Sequence, residues 1–296
     1  MPFALKTSPL LWTRLAALAF TCIAFSMAAL GGRFIDHTGA FCIFCWAFSF
    51  GGTLLVILVE LFNPLTRAPL SWKNFHITFA CYSFLLCMSA SFIFPIYFLK
   101  DSIVVFAPSQ LRDLRIVSSV SSCVATLAYM NEVRLTKAYR GEVSGYMTTC
   151  PGLLKVLETF VACILFVFIN DPVSYDQHHS VKYCMSVYCI CFILSAFIIL
   201  LCIGECTYLL PFPFPRFLFT HALLAVFLYL SAAMIWVIFN FVPRYGGHNE
   251  RPHNCWSSEG LCSWDKDMLI AVLTGINFIL YLIDLIYSIP LVLVST

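Results

Sequence analysis

Charged side chains are scarce in this sequence. Only 11% of its 296 residues are Asp, Glu, Lys or Arg, against about 25% in an ordinary soluble domain. Hydrophobic residues make up 61%, and the mean hydropathy is +0.89. So few charges cannot cover the surface of a water-soluble protein of this size. The composition therefore argues against soluble enzymes and secreted disulfide scaffolds, and it predicts an all-α polytopic membrane protein.

A strong net charge and the common catalytic signatures are also missing. The 17 basic and 15 acidic residues give a net charge of +2, which argues against nucleic-acid binding. The sequence contains no Walker loop, no HExxH, GxSxG or kinase signature and no N-glycosylation sequon. The longest connector, about residues 242–267, is too short for a soluble domain. We therefore expect a non-enzymatic protein with no catalytic residue, no metal site and no cofactor.

Eight apolar stretches are long enough to cross a bilayer, since a helix needs about 20 apolar residues to do so. Residues that lipid rejects separate them, such as Asp36-His37, Asn63-Pro64 and Lys100-Asp101. The predicted spans are 10–31, 41–62, 75–99, 115–134, 151–170, 183–207, 216–241 and 268–288. Eight spans place both termini on the same side of the membrane.

The orientation follows from the charges between the spans. The side that holds the termini has nine basic residues and the other side has eight, while nine of the 15 acids lie on the other side. By the positive-inside rule the termini are predicted to be cytoplasmic. Cys255 and Cys262 then lie in an extracellular or lumenal loop, where oxidising conditions favour a disulfide between them. Two free thiols are the alternative.

The two halves of the chain resemble each other. Arg14 and Cys22 of the first span match Lys155 and Cys163 of the fifth with the same offset of 141 residues. Each even span also carries an acid near its predicted inner end, and these acids are Glu60, Glu132, Glu205 and Asp284. The pattern predicts two tandem four-helix units, 8–141 and 146–293, in parallel orientation.

These charges allow two interpretations. Ionised groups inside a membrane usually face the bundle interior and pair with one another. Arg14 is then expected to pair with an acid on the second or fourth span, and Lys155 with one on the sixth or eighth, or with Glu158 three residues along its own helix. The alternative is an ion or proton relay through Glu158 and the four acids of the even spans, as in a transporter or channel. We favour pairing, because the outer parts of spans 2, 3, 6 and 7 are almost wholly apolar.

Three of the 15 cysteines lie near the predicted cytoplasmic interface and are candidates for palmitoylation: Cys150, Cys202 and Cys206. Ordinary packing is the alternative for each of them. Cys42 and Cys45 have the spacing of a redox pair, but their apolar surroundings favour buried packing.

Two stretches of the sequence resemble a known family. They are residues 69–90, beginning Pro-Leu-Ser-Trp-Lys-Asn-Phe-His, and residues 141–172, beginning Gly-Glu-Val-Ser-Gly-Tyr-Met-Thr-Thr-Cys-Pro-Gly. Both are similar to the myeloid-associated differentiation marker family, and Gly204-Glu205-Cys206 with Pro211, Pro213 and Pro215 continues the similarity. The resemblance covers almost the whole chain.

The resemblance implies two tandem MARVEL domains of four spans each. It also implies a non-enzymatic protein of cholesterol-rich, ordered membrane domains, in the plasma membrane, in vesicles or in both. Its implied partners are membrane lipids and MARVEL-type homo- or hetero-oligomers. The implied roles are vesicle trafficking, cortical signalling, and the adhesion, migration or barrier properties of cells.

Overall fold

The structure, a computed structural model, describes residues 9–31, 37–62, 71–99, 109–137, 145–169, 179–211, 213–245, 247, 249–252 and 262–295. Eight long α-helices run through this part of the chain: α1 (Pro9–Leu30), α2 (His37–Phe62), α3 (Trp72–Phe98), α4 (Ser109–Thr136), α5 (Cys150–Ile169), α6 (His179–Ile203), α7 (Phe214–Phe241) and α8 (Ser263–Ser295). Three short 3₁₀ turns accompany them: Tyr146–Thr148, Cys206–Leu209 and Pro243–Tyr245. The predicted all-α membrane fold is confirmed.

Seven of these helices, all except α4, are long and apolar enough to cross a membrane. Helix α4 carries more polar residues, and several of them, including Ser118, Ser122 and Glu132, are buried. It runs antiparallel to α1, because Ser118 Oγ donates to the Ala24 carbonyl and Arg14 Nε donates to Glu132. These two contacts are about 20 Å apart along α4 at helical rise. Helix α4 therefore covers much of the depth of α1, with its polar side turned inward.

Contacts within the chain divide it into two compact units, Met1–Thr149 and Cys150–Thr296. The boundary falls beside the short turn Tyr146–Thr148, which packs against α3 of the first unit. That both units are MARVEL domains, over the predicted bounds 8–141 and 146–293, stays a prediction.

The first unit is a ring of four helices. Each helix packs against its neighbours in sequence, and α1 also packs against α4. Hydrogen bonds also join the diagonal pair α2 and α4, where Trp46 Nε1 donates to Ser122 Oγ at 2.8 Å and Tyr129 OH lies 2.7 Å from Thr53 Oγ1. Small residues such as Ala17 let the helices approach closely around these polar side chains.

The second unit repeats this arrangement. Helix α5 packs against α6 and α8, and α7 packs against the same two helices. Its centre holds three buried tyrosines, with ring centroids 5.5 Å apart for Tyr188 and Tyr229 and 5.1 Å apart for Tyr229 and Tyr281. At one end Trp236 Nε1 donates to the Asp267 carbonyl and ties α7 to α8.

The end of α6 differs from the prediction. The sixth span was predicted to reach residue 207, but α6 ends at Ile203 and a 3₁₀ turn begins at Cys206. Glu205 between them has a φ of 51°, in the left-handed region that stops a right-handed helix. Glu205 is therefore outside the helix and exposed, which corrects its predicted place inside a span.

Three prolines lie within the long helices α3, α7 and α8. Helix α7 begins at Phe214 with Pro215 in its first turn, where the missing N–H is not needed. Pro95 lies inside α3 and Pro290 inside α8, which continues past the predicted end at residue 288. Such internal prolines are tolerated in membrane helices when neighbouring groups satisfy the freed carbonyls.

Buried charge clusters as the candidate functional site

Lys155 of α5 is the centre of a buried cluster in the second unit. Its Nζ donates to Asp284 Oδ2 of α8 at 2.7 Å and to Glu158 Oε2 of its own helix at 3.1 Å. The side chains of all three residues are 0% exposed. The third neighbour of Nζ is His221 Nδ1 of α7, also at 3.1 Å. Because an ammonium group can only donate, this imidazole nitrogen is the acceptor.

A second layer of polar groups surrounds the two carboxylates. Ser195 Oγ of α6 donates to Glu158 Oε2 at 3.1 Å and lies 3.0 Å from Tyr281 OH and 3.4 Å from His221 Nε2. The other carboxylate oxygens, Glu158 Oε1 and Asp284 Oδ1, are buried without a hydrogen-bond partner among the described residues. The ammonium group therefore contacts side chains of α5, α7 and α8, and Ser195 joins α6 to the same cluster.

Polar side chains continue along the bundle away from this cluster. Asn277 Nδ2 donates to the Glu158 carbonyl at 3.3 Å and to Tyr229 OH at 2.7 Å. Tyr188 OH lies 2.7 Å from Thr274 Oγ1 on α8. Thus α6 and α7 contribute more polar atoms to the core than their apolar sequences suggested.

Arg14 of α1 is the centre of a smaller cluster in the first unit. Its Nη1 lies 2.5 Å from Glu60 Oε2 of α2, and its Nε lies 2.6 Å from Glu132 Oε1 of α4. The side chains of Arg14 and Glu132 are 1% and 5% exposed, but that of Glu60 is 38% exposed. One arm of this cluster therefore reaches the surface of the bundle.

In both clusters a buried cation pairs with two acids, but the position of the second acid differs. Glu132 and Asp284 lie on the last helix of their units, and each contacts the cation on the first helix of the same unit. Glu205, the sequence equivalent of Glu60, lies in the left-handed turn after α6 and has no ion pair among those described. Glu158, on the same helix as Lys155, takes that position instead.

The structure distinguishes the three cysteines considered for palmitoylation. Cys202 is only 4% exposed, whereas Cys150 and Cys206 are half-buried. An acyl chain needs an accessible thiol, so Cys150 and Cys206 are the better candidates and the modification stays a prediction. The predicted disulfide also stays a prediction, because Cys255 lies outside the described residues.

Sequence reasoning did not assign a role to Ser195, His221 or Tyr281, although all three surround the buried carboxylates. His221 could have been found, because a histidine within a long apolar span is a usable signal of a polar core. Ser195 carries no such signal, because serine is common in membrane helices. In the described part of the chain no group of three or more His, Cys, Asp or Glu side chains is arranged to hold a metal ion.

Comparisons with known proteins agree with this architecture. Residues 146–287 match the MARVEL family, described as a membrane-associating domain. The chain is 50% identical over 292 residues to the myeloid-associated differentiation marker homolog of Xenopus laevis, covering 97% of this chain and 94% of that protein. It is 46% identical over 293 residues to the myeloid-associated differentiation marker of Homo sapiens, covering 98% and 90%.

A third relative is more distant. The human myeloid-associated differentiation marker-like protein 2 is 39% identical over 283 residues, covering 95% of this chain and 91% of that protein. No solved structure matches the chain. Similarity at this level over nearly the full length, together with the bundles of membrane-length helices, shows that the chain belongs to the myeloid-associated differentiation marker family of multi-pass, MARVEL-containing membrane proteins.

Proposed function

We propose that this protein is a non-enzymatic organiser of ordered, cholesterol-rich membrane domains. The observation that supports the proposal is the distribution of polarity. The buried cations Arg14 and Lys155 contact acids of their own unit, while large apolar side chains face outward along the helices. A protein built this way presents its surroundings mainly with hydrocarbon, so its selectivity lies in lateral contacts with lipids and other helices.

The outer surface of α2 is one place where such contacts can form. Phe44 and Phe48 are exposed and stacked, with ring centroids 5.8 Å apart, and Leu55 and Leu58 continue the same exposed face. Flat aromatic and branched side chains suit packing against ordered acyl chains, sterols or another four-helix protein. Homo- or hetero-oligomers with other MARVEL proteins are part of the proposal.

The proposed cellular setting follows from this lateral role. We place the protein in the plasma membrane, in vesicles or in both, with cytoplasmic termini. Clustering of lipids and neighbouring proteins there links it to vesicle trafficking, to cortical signalling, and to cell adhesion, migration and barrier formation. Palmitoylation of Cys150 or Cys206 would strengthen its preference for ordered lipid.

Partition between coexisting lipid phases tests the proposal directly. The purified full-length protein is reconstituted into giant vesicles that separate into ordered, cholesterol-rich and disordered phases. We expect enrichment in the ordered phase, and a smaller enrichment for the double variant Phe44→Leu/Phe48→Leu, which keeps the surface apolar but removes the ring stack. The matched control is Ile190→Leu/Ile193→Leu on exposed positions of α6, which changes no ring.

Exclusion of the wild-type protein from the ordered phase would contradict the proposal. Proximity labelling in intact cells, combined with detergent-resistant fractionation, gives the cellular counterpart. A proton- or ion-coupled flux in liposomes that Asp284→Asn abolishes would instead favour a transporter.

A further inference from the structure

The buried cluster of the second unit has an uneven count of charges. It contains one ammonium group, Lys155, and two carboxyl groups, Glu158 and Asp284, all of them 0% exposed. If both acids were ionised, the cluster would carry one uncompensated negative charge in the interior of a membrane bundle. Burying an uncompensated charge is costly, and two carboxylates that share one site do not both ionise readily.

No described group around the cluster supplies a second positive charge. Helix α6 contributes Cys191 and Ser195, helix α7 contributes His221 and Tyr229, and helix α8 adds Tyr281. Of these, only the imidazole can become a cation. His221 Nδ1 accepts from the Lys155 ammonium at 3.1 Å, and a protonated ring would lose that bond and place two cations side by side. The compensating proton must therefore reside on a carboxyl group.

The distances distinguish the two acids. Asp284 Oδ2 lies 2.7 Å from Lys155 Nζ, a length typical of a charge-assisted bond between an ammonium and a carboxylate. Glu158 Oε2 lies 3.1 Å from the same ammonium and 3.1 Å from Ser195 Oγ, as a neutral carbonyl acceptor does. Glu158 Oε1 and Asp284 Oδ1 both lack a described donor, so either oxygen has room for a proton, and the distances to Nζ favour Glu158 as its holder.

We propose that the core of the second unit is a proton-binding site, in which Glu158 holds one proton at neutral pH while Asp284 is the ionised partner of Lys155. The first unit differs because the side chain of Glu60 is 38% exposed, so only one carboxylate, that of Glu132, is buried beside the Arg14 guanidinium and their charges balance. The proposal concerns the occupancy of this site and does not depend on the proposed role in ordered membranes.

Infrared spectroscopy of the full-length protein in lipid nanodiscs tests this assignment. At neutral pH exposed carboxyl groups are ionised, so a C=O stretch of carboxylic acid that shifts on exchange into D₂O reports a buried, protonated group. We expect this band in the wild-type protein and its loss in Glu158→Gln. Glu132→Gln, which changes the buried acid of the first unit, is the matched control and should leave the band unchanged.

Thermal unfolding supplies an independent readout. Glutamine has the shape of protonated glutamic acid and keeps a carbonyl for Lys155 and Ser195, so Glu158→Gln should unfold at the temperature of the wild-type protein. Asp284→Asn should unfold at a lower temperature, because Lys155 must then pair with Glu158 at the longer distance of 3.1 Å, after Glu158 has lost its proton. A fall for Glu158→Gln with no change for Asp284→Asn would reverse the assignment and overturn the proposal.

Isotope labelling removes the dependence on variants. Incorporation of ¹³C-glutamate should shift the acid band of the wild-type protein to lower wavenumber, and ¹³C-aspartate should leave it in place. The absence of any acid band at neutral pH, its persistence in Glu158→Gln, or a shift with labelled aspartate alone would each overturn the proposal.

Discussion

Glu60 and Glu132 contact the same guanidinium group but in different surroundings. The side chain of Glu132 is 5% exposed and that of Glu60 is 38% exposed. Glu132→Gln removes a charged partner from the buried side of Arg14, and we expect it to lower the free energy of unfolding by about 2 kcal/mol. Glu60→Gln changes a partly hydrated pair, and we expect a loss below about 1 kcal/mol.

Unfolding of both variants in the same detergent or lipid, followed by tryptophan fluorescence, measures the difference. The two substitutions remove the same charge and keep nearly the same shape, so each is the control for the other. Equal losses, or a larger loss for Glu60→Gln, would show that burial does not determine the strength of the Arg14 cluster.

Glu205 is a residue with backbone strain. Its φ of 51° lies in the left-handed region, which costs a residue with a Cβ atom roughly 1 kcal/mol relative to glycine. Its side chain is exposed, and no described ion pair offsets that cost. We therefore expect Glu205→Gly to raise the unfolding temperature in micelles. Glu205→Ala, which removes the charge but keeps the Cβ atom, should show no such rise; an equal rise would attribute the effect to charge.

Two adjacent glycines of α2 face different surroundings, and only Gly52 lies in the interface with α3. A Cβ atom added at Gly52 would overlap the ring of Phe79 on α3, whereas one added at Gly51 would meet nothing nearby. We expect Gly52→Ala to lower the free energy of unfolding by about 1–3 kcal/mol, because the ring must move in a filled interface. Gly51→Ala should leave stability unchanged or higher, since alanine favours the helix.

Thermal unfolding of the two glycine variants, side by side, separates packing from helix propensity. If Gly52→Ala is as stable as Gly51→Ala, the α2–α3 interface is looser than the contact with Phe79 implies. If both are destabilised, the helix itself, not its packing on α3, is sensitive at this point.

The helices were largely predictable from the sequence, and their ends were less so. Lipid requires each span to satisfy its own backbone hydrogen bonds, so a long apolar stretch almost dictates a helix. The prediction was wrong at the end of α6, because the apolar residues around Gly204-Glu205-Cys206 gave no sign of the left-handed turn at Glu205. Helix α4 was predicted as a span and is a helix, but it is not among the seven helices apolar enough to cross, so its crossing stays a prediction.

Contacts inside the site were less predictable than the helices. Charge alone indicated that Arg14 and Lys155 need acidic partners within the bundle. The choice among acids depends on which residues face each other across helices far apart in sequence, such as Lys155 and Asp284, and hydropathy carries no such information. Side chains like Ser195 act only through that geometry, so they became visible only in the folded unit.

At the scale of the whole molecule, the side of the membrane on which each connecting segment lies can be measured. Because α7 is long and apolar enough to cross the membrane, the turn after α6 and the segment between α7 and α8 should lie on opposite sides, and the charge distribution predicts that the turn is cytoplasmic. The natural sequence has no N-glycosylation sequon, so an introduced one reports its side without background. Arg251→Ser places a sequon at Asn249, and Glu205→Asn forms one with Cys206 and Thr207.

We expect a glycan on Arg251→Ser and none on Glu205→Asn when both are expressed in mammalian cells, as a mobility shift that glycosidase removes. Arg251 forms an ion pair with Asp265, so Arg251→Ala is the control for the loss of that contact without a sequon. A glycan on Glu205→Asn would show that the orientation is the opposite of the predicted one. It would also place Cys206 on the lumenal side, where cytoplasmic palmitoylation could not reach it. The palmitoylation of Cys206 therefore requires the predicted orientation.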